Sequence, residues 1–195
     1  MVGGGGAGSS RLKRAVDIAV SGILLVVALP VGALVVAVMA ADMLLCRRDR
    51  GGFLHREQRI SHGREFDLLK LRTLRADQQS LTWAGRRLLK PWYLDELPQL
   101  LNVLRGEMSL VGPRPWPPAM VEAQVARGVD YRLHVPAGWT GPAQVSKGKN
   151  LSYEELDLEY VDRCRQSSGP ALAWYDLGIL RRTVATMLRR EGLRF

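Results

Sequence analysis

The chain has 195 residues, which predicts one domain built around one hydrophobic core. Its 28 Lys and Arg outnumber 19 Asp and Glu, so the formal net charge of +9 indicates an anionic partner: nucleic acid, an anionic bilayer or phosphorylated substrates. The two cysteines, Cys46 and Cys164, have neither the spacing of a metal site nor that of a disulfide framework. This pattern excludes a fold organised by a cysteine-bound metal or by disulfides and indicates reduced thiols in a protein facing the cytosol.

Charge divides the amino-terminal part of the chain into segments. Residues 1–10 are rich in Gly and Ser and are predicted to form a disordered tail. A basic stretch at 11–14 follows. Residues 18–41 then contain no charged residue, and these 24 residues would form a helix about 36 Å long, enough to cross a bilayer. A second basic cluster at 47–50 follows this apolar segment.

The apolar segment admits more than one topology. A signal peptide is excluded because its apolar core has only about 7–15 residues. Pro30 removes a backbone donor and would divide the segment into two arms, each about 18 Å long. Both flanks are basic, and positive residues favour the cytoplasmic side. These features favour a re-entrant hairpin over 11–48, and a proline-containing spanning helix stays open as the alternative.

Residues 49–195 have the composition of a soluble domain and are predicted to begin with extended structure. Segments at 53–60 and 66–74 have mixed patterning and predict strands or extended loops, separated by a turn at 61–63.

The later part of this domain is predicted to be helical, which makes the fold class α+β and mostly helical. Leucines spaced i, i+3, i+4 and i+7 predict a helix over 97–104 that ends at Gly106. A capping box beginning at Ser152 predicts a helix over 153–164. A basic amphipathic helix, suited to a membrane interface, is predicted over 172–190.

Two adjacent carboxylates, Asp95 and Glu96, precede the helix predicted over 97–104. One interpretation is helix capping, with Asp95 as the N-cap and both charges complementing the helix dipole. The other is chemical, because a helix N-terminus binds phosphate, a carboxylate can attack phosphorus, and its neighbour can hold Mg²⁺. The residue pattern by itself leaves both interpretations open.

Basic residues supply candidate phosphate ligands. Arg114 lies within 111–118, a segment with four prolines that cannot form a regular helix and would present the guanidinium rigidly, as bidentate phosphate binding requires. Lys70 and Arg72 would share one face of an extended segment and form a small anion site. The alternatives are a surface arginine on a turn and a solvated basic strand.

The carboxylate pair and Arg114 lie in one long motif, which runs from Leu94 to Pro115 and reads LDELPQLLNVLRGEMSLVGPRP. This motif resembles the bacterial sugar transferases, also called monotopic phosphoglycosyl transferases. Further matching pieces extend the resemblance over nearly the whole chain after residue 10: Lys13, Arg14, Asp17, 58–60, 70–73, 139–141, Gln144, Asp176 and Leu177.

The resemblance implies both an architecture and an activity. It implies a membrane helix broken at Pro30, with a catalytic domain on the cytoplasmic face of the bacterial inner membrane. It also implies transfer of a sugar phosphate from a UDP-sugar to polyprenyl (undecaprenyl) phosphate with release of UMP, the first step in making a polysaccharide or glycoconjugate. A homodimer is compatible with these features, and binding to nucleic acid is not expected because it leaves the apolar segment unexplained.

The resemblance also implies residue roles. Asp95 would be the nucleophile, Glu96 the Mg²⁺ ligand, and Arg114, Lys70 and Arg72 would lie near phosphates. Lys90 and Gln144 complete the expected substrate-binding set.

Three positions depart from the family pattern. Lys90 stands where Arg is usual, Tyr93 where a small hydroxyl residue is usual, and 42–46 lacks the usual Ser-Pro-Gly-Pro run. Lysine lacks the bidentate geometry of arginine. These departures leave one alternative function open, a catalytically idle membrane module that binds polyprenyl phosphate or assembly proteins.

Overall fold

A computed structural model describes residues 6–75, 77–146 and 152–189. The helices are α1 (Gly6–Leu45), α2 (Gln99–Arg105), α3 (Pro118–Val125), α4 (Pro142–Val145), α5 (Tyr153–Gln166) and α6 (Gly169–Arg189). The strands are β1 (Leu54–Ser61), β2 (Arg64–Leu71), β3 (Ser109–Val111) and β4 (Gly138–Thr140). The predicted class, α+β and mostly helical, is confirmed.

The helix α1 differs in two respects from the sequence prediction. Residues 6–10 are helical, so the prediction of a disordered tail is wrong for them; residues 1–5 lie outside the described part. The physical reason is that extending an existing helix adds one hydrogen bond for each residue that is fixed. The helix also continues through Pro30, so the predicted break there is not found. Proline removes only one hydrogen bond, and its neighbours keep helical geometry.

The apolar part of α1 is long enough to cross a membrane. Among the described residues, Arg11–Leu45 is the one helical stretch with the length and composition of a membrane span. Only 11% of its most apolar 18-residue stretch is buried by the rest of the protein. The large exposed side chains of its middle part are Ile23, Val26, Val27, Leu29, Val31 and Leu34. The re-entrant path of this segment stays a prediction.

The polar residues at the start of α1 attach it to the rest of the domain. The buried carboxylate of Asp17 accepts hydrogen bonds from the Ser109 hydroxyl at 2.8 Å and the Leu110 amide at 3.1 Å, both in β3. The Arg14 guanidinium donates to two carbonyl oxygens in the last turn of α2, at 2.6 and 2.7 Å. A cation at a helix C-terminus satisfies carbonyls that have no partner within the helix.

Lys13 ties α1 to three further elements. Its ammonium lies 2.5 Å from the Asp176 carboxylate in α6, 3.0 Å from the Tyr160 hydroxyl in α5, and 3.2 Å from the carbonyl oxygen of Val111 in β3. Lys13 and Asp176 are almost fully buried. Burial raises the pKa of Asp176 above its ordinary value, although Lys13 and Tyr160 act in the opposite direction.

The carboxyl-terminal end of α1 is attached to the same domain. Asp42 accepts a hydrogen bond from the Ala84 amide at 3.0 Å. Val35 and Met39 are buried, with exposed fractions of 1% and 3%, in a cluster that includes Leu71 of β2. Both ends of α1 therefore contact one domain while its middle remains exposed.

The predicted extended segments form an antiparallel hairpin. β1 and β2 pair from Leu54 opposite Leu71 to Ser61 opposite Arg64. The two turn residues, His62 and Gly63, both have positive φ, 51° and 70°, as the tight turns favoured in hairpins require. A second pair, β3 with β4, is parallel and was not predicted, because strands of three residues carry no periodic signal.

Asn102 joins α2 to β2. Its side chain is fully buried, accepts from the Leu69 amide at 3.0 Å and donates to the Asp67 carbonyl at 2.8 Å. The helix ends at Gly106, whose φ of 85° suits glycine, as predicted. The hydrogen bonds of Asn102 hold α2 against β2, and thereby fix the position of the turn at 94–96 relative to β2.

The two long carboxyl-terminal helices agree with the sequence. Ser152 caps α5 by accepting a hydrogen bond from the Glu155 amide at 3.3 Å. The final helix begins at Gly169, three residues before its predicted start, because Pro170 is well placed in a first turn. The short helix α3 was not predicted from the proline-rich segment that precedes it.

The buried ion pair of Lys13 and Asp176 gives a stability prediction. Lys13→Met leaves the Asp176 carboxylate buried without its cation, and we expect the free energy of unfolding to fall by about 3–5 kcal/mol at neutral pH. The loss should shrink as the pH falls through the raised pKa of Asp176, because the protonated acid needs no counter-charge. Denaturant unfolding of the detergent-solubilised protein measures this.

The matched control is Arg11→Met, which removes an exposed positive charge from the same end of α1. Adding Asp176→Asn to Lys13→Met should recover part of the lost stability. Equal effects of the Lys13 and Arg11 substitutions would contradict the assignment of this ion pair as the attachment of α1.

Candidate active site

The chain segment that carries Asp95 and Glu96 is a tight turn rather than the start of a regular helix. Leu94–Glu96 forms one 3₁₀ turn, preceded by Tyr93 in the left-handed conformation at φ 54° and ψ 24°. That conformation costs a non-glycine residue on the order of 1 kcal/mol or more and is typical of functional sites. α2 begins only at Gln99 and has no side-chain cap, so the interpretation of Asp95 as its N-cap is wrong.

The Asp95 carboxylate is buried and paired with Lys90. Asp95 is 3% exposed, and its Oδ2 lies 2.8 Å from the Lys90 ammonium, which is partly open to solvent. Both line a cleft of about 270 Å³. The cleft walls also contain His55, Glu57, Lys70, Arg72, Arg75 and Gln78. The nucleophile predicted from the sequence therefore faces a cavity rich in positive charge.

Lys70 lies between this cleft and a second cavity. Its ammonium is 3.0 Å from Glu57, which Arg59 also contacts. Burial raises the pKa of Glu57, but the charges of Lys70, Arg59 and His55 outweigh it and bring the pKa below its ordinary value. Glu57 is thus ionised and positions Lys70, a role that sequence reasoning missed because the two residues are on paired strands.

Arg72 lines the same cleft but is engaged elsewhere. Its guanidinium donates to the carbonyl oxygens of Gly52 and Leu74, each at 2.8 Å, and to that of Asp49. These bonds join the end of β2 to the segment that follows α1. The structure therefore brings Lys70 and Asp95 together, whereas Arg72 has a structural role in the ligand-free protein, and its contact with phosphate stays a prediction.

Glu96 faces away from the cleft, into two small cavities of about 60 and 30 Å³. Burial raises the pKa of its carboxyl above the ordinary value of 4.5, and the charge of Asp95 adds to this; Arg114, Lys70 and Lys90 act in the opposite direction without cancelling it. Arg114 lines both cavities. The structure thus brings Glu96 and Arg114 to the same two cavities, while their roles toward Mg²⁺ and phosphate stay predictions.

A buried network holds the Arg114 loop from behind. Arg132 donates to the Arg114 carbonyl oxygen at 2.5 Å, lies 4.0 Å from the Trp116 ring centre, and pairs with Asp157 at 2.9 Å. Tyr131 donates to the same carboxylate at 3.0 Å. The prolines indicated a rigid loop, but nothing in the local sequence indicated that Arg132 supports it.

Gln144 and Trp139 contribute polar atoms that lack partners. Both amide atoms of Gln144 and the indole Nε1 of Trp139 are buried and form no hydrogen bond within the described part of the chain. Both residues line the two cavities that contain Glu96 and Arg114. A buried polar group without a partner costs about 1–3 kcal/mol, so these atoms are available to bind a polar ligand or water in the cavities.

The surroundings of Glu96 fit a divalent cation. No group of three or more His, Cys, Asp or Glu that could hold a metal is found among the described residues. Mg²⁺ does not require one, since it is commonly bound by one or two carboxylates together with substrate phosphates. A carboxylate whose pKa burial has raised lacks compensating positive charge, and a cation bound with the substrate would supply it.

The departures from the family pattern leave the carboxylate pair intact. Lys90 still places a positive charge on Asp95, although through one contact rather than the two that arginine can make. Tyr93 provides the left-handed residue before the turn, and burial raises the pKa of its phenol. Neither change removes the charge pattern that phosphate chemistry needs, so neither favours the idle module.

Comparison with known proteins bears on the whole chain. The family model described as bacterial sugar transferase matches residues 8–190. A UDP-galactose-lipid carrier transferase of Erwinia amylovora is 34% identical, and an undecaprenyl-phosphate galactose phosphotransferase of Salmonella typhimurium is 33% identical. Each alignment covers 94% of this chain but 42% of the relative, so the chain spans less than half the length of these proteins.

A shorter relative is covered more completely. The UDP-glucose:undecaprenyl-phosphate glucose-1-phosphate transferase of Caulobacter vibrioides is 34% identical over 92% of this chain and 71% of its own length. The family model, over residues 8–190, includes nearly all of α1, the turn that carries Asp95 and Glu96, and the loop that carries Arg114. The chain therefore belongs to the bacterial sugar transferase family.

Proposed function

We propose that this protein transfers a sugar 1-phosphate from a UDP-sugar to a polyprenyl phosphate such as undecaprenyl phosphate, releasing UMP. The observation that carries the proposal is the pair of adjacent carboxylates with different surroundings. Asp95 is held by Lys90 in a basic cleft, and Glu96 faces Arg114 in a neighbouring cavity. The names of the matched relatives, which refer to undecaprenyl phosphate or a lipid carrier, support the same reaction class.

The first half-reaction forms a covalent intermediate. Asp95 Oδ1, the oxygen that Lys90 does not bind, attacks the sugar-proximal phosphorus of the donor. The bond from that phosphorus to the bridging oxygen breaks, UMP leaves with the electron pair, and a phosphosugar ester remains on Asp95. Lys70 and Arg114 stabilise the negative charge that develops on the phosphate oxygens. Glu96 would hold Mg²⁺, which when bound neutralises charge on the diphosphate.

The second half-reaction regenerates the enzyme. An oxyanion of the polyprenyl phosphate attacks the same phosphorus, the bond to Asp95 breaks, and the carboxylate returns as the lipid diphosphosugar forms. The acceptor is already an anion, so no general base is needed. This feature favours Asp95 as a nucleophile over Asp95 as a base.

The attachment of both ends of α1 to one domain supports a one-sided membrane arrangement, and the basic residues on both flanks favour the cytoplasmic face of the inner membrane. Asp17 and Asp42 are 25 residues apart, about 38 Å along a straight helix, and both bind backbone amides of one domain. A helix that crossed the bilayer would place these ends on opposite sides. We infer that α1, which stays helical through Pro30, bends there, so that its exposed middle lies in the lipid while both ends and Asp95 stay near the phosphate groups of the lipid.

The covalent intermediate gives the first functional prediction. Purified protein incubated with Mg²⁺ and the correct UDP-sugar, but no lipid, should release about one equivalent of UMP and then stop. Screening UDP-glucose, UDP-galactose and their N-acetyl forms identifies that sugar. Intact-protein mass spectrometry should show one phosphosugar adduct on the peptide that contains Asp95.

Asp95→Asn should lower this UMP release by more than about 10³-fold, because an amide is a poor nucleophile. The control is Asp162→Asn, which removes an exposed carboxylate of α5. Normal UMP release from the Asp95 variant would contradict the nucleophile assignment, and turnover without any adduct would favour direct attack by the lipid phosphate.

The raised pKa of Glu96 predicts opposite pH dependences for activity and stability. Activity should rise as the pH rises through this pKa, because metal binding requires the ionised form. In the ligand-free protein, the raised pKa means that protonated Glu96 stabilises the fold. This stabilisation should be fully present below the ordinary pKa of 4.5 and should be lost as the pH rises through the raised pKa of the folded protein. Urea unfolding and UMP release, each measured over a pH series, test both slopes.

Glu96→Gln should abolish activity and flatten that part of the stability profile. Glu159→Gln, which changes an exposed glutamate of α5, is the control and should alter neither. An unchanged stability profile in the Glu96 variant would show that this carboxyl does not titrate as the structure indicates.

The one-sided arrangement predicts the labelling of single cysteines. Cys46 and Cys164 are first replaced by Ser, and cysteine is then placed at Ser9 or Gly52, on the two sides of the apolar segment. An impermeant maleimide added to intact cells should label neither variant, and both should react after the inner membrane is disrupted. Labelling of the Ser9 variant from outside would identify α1 as a spanning helix.

A further inference from the structure

The buried atoms of Gln144 and Trp139 that lack partners form a defined hydrogen-bonding set. The amide of Gln144 offers one donor and one acceptor position, and the indole of Trp139 offers a second donor. All three atoms are buried without a partner in the part of the chain that the structure describes. The ligand that completes this set is neutral and presents both a donor and acceptors.

The cavity that contains Gln144 and Trp139 combines apolar walls with a few polar groups. Its walls include the apolar side chains of Val145 and Met187, and Tyr93 lies at one side. Thr140 and Thr183 also line it, but their hydroxyls are 2.7 Å apart, and Thr183 donates to the Ile179 carbonyl at 2.9 Å, so they satisfy one another. Apolar walls with a few convergent polar atoms are typical of small-molecule sites.

The direction of the proposed reaction indicates which part of the donor reaches this cavity. In phosphoryl transfer the attacking and leaving oxygens lie roughly in line with the phosphorus. Asp95 attacks from the large cleft, and the cavities that contain Glu96, Arg114 and Gln144 do not include Asp95. The leaving nucleotide, rather than the sugar, therefore extends toward Gln144.

We propose that Gln144 and Trp139 bind the pyrimidine ring of the nucleotide donor along its hydrogen-bonding edge, an inference that rests on the proposed function. Uracil presents the acceptor O4, the donor N3–H and the acceptor O2 in a row. The amide nitrogen and oxygen of Gln144 match the first two, and the indole N–H of Trp139 matches the third. Bidentate pairing of an amide with a base edge is a common mode of base recognition.

The test compares two small ligands that share a phosphate and a ribose. UMP carries the ring and ribose 5-phosphate does not, and neither carries the donor sugar. Binding of each is measured by ligand-observed NMR with the full chain in detergent micelles. Gln144→Met should weaken UMP binding by about 10-fold or more, as expected for losing two hydrogen bonds, and should leave ribose 5-phosphate binding unchanged.

Two controls separate a functional effect from misfolding. Gln166→Met makes the same change at an exposed glutamine of α5 and should leave UMP binding unchanged. Gln144→Met should also raise the melting temperature of the ligand-free protein, because it removes a buried amide that lacks partners. Higher stability combined with weaker UMP binding is the signature of a binding residue.

Each contrary result has a distinct meaning. Equal UMP binding by the wild type and the Gln144 variant overturns the inference. Equal weakening of UMP and ribose 5-phosphate also overturns it, since Gln144 would then serve the phosphate. A raised KM for the UDP-sugar with unchanged UMP binding overturns it as well and assigns Gln144 to the sugar. A wild type that binds no UMP contradicts the proposed function itself.

Discussion

The attachment of α1 to the domain rests on charged and polar side chains at its two ends. An apolar helix whose middle is exposed cannot be positioned by apolar contacts there. Its position is set by Lys13, Arg14 and Asp17 at one end, and by Asp42 together with the buried Val35 and Met39 at the other. These groups bind backbone atoms or buried charges, which fixes direction as well as distance. The turn that carries Asp95 and Glu96, the loop that carries Arg114 and the exposed apolar surface of α1 are therefore held at fixed positions relative to one another.

The proposed chemistry depends on the unlike surroundings of two neighbouring carboxylates. Asp95 has a lysine 2.8 Å away, whereas the net effect of the surroundings of Glu96 is a raised pKa. The first is thus a carboxylate with one oxygen not bound by that lysine, and the second is a carboxylate that gains from added positive charge. The single 3₁₀ turn that carries both residues directs their side chains into different cavities.

Much of the fold and part of the site could be predicted from the sequence. The two long helices after Ser152, the hairpin and the end of α2 at Gly106 follow from capping, turn and periodicity signals that act within a few residues. The parallel pairing of β3 and β4 could not be predicted, because it joins short segments by contacts between distant residues. The roles of Glu57 and Arg132 were missed for the same reason.

The sequence by itself determined the apolar segment, the carboxylate pair and the motif that identifies the family, since each is a property of adjacent residues. Only the tertiary structure decided which of these side chains meet. It engaged Arg72 with backbone carbonyls, paired Lys90 with Asp95, and buried the Gln144 amide without a partner. Lys13 reaches Asp176 across 163 positions of sequence. Such contacts depend on side-chain direction and burial, which a linear pattern does not encode.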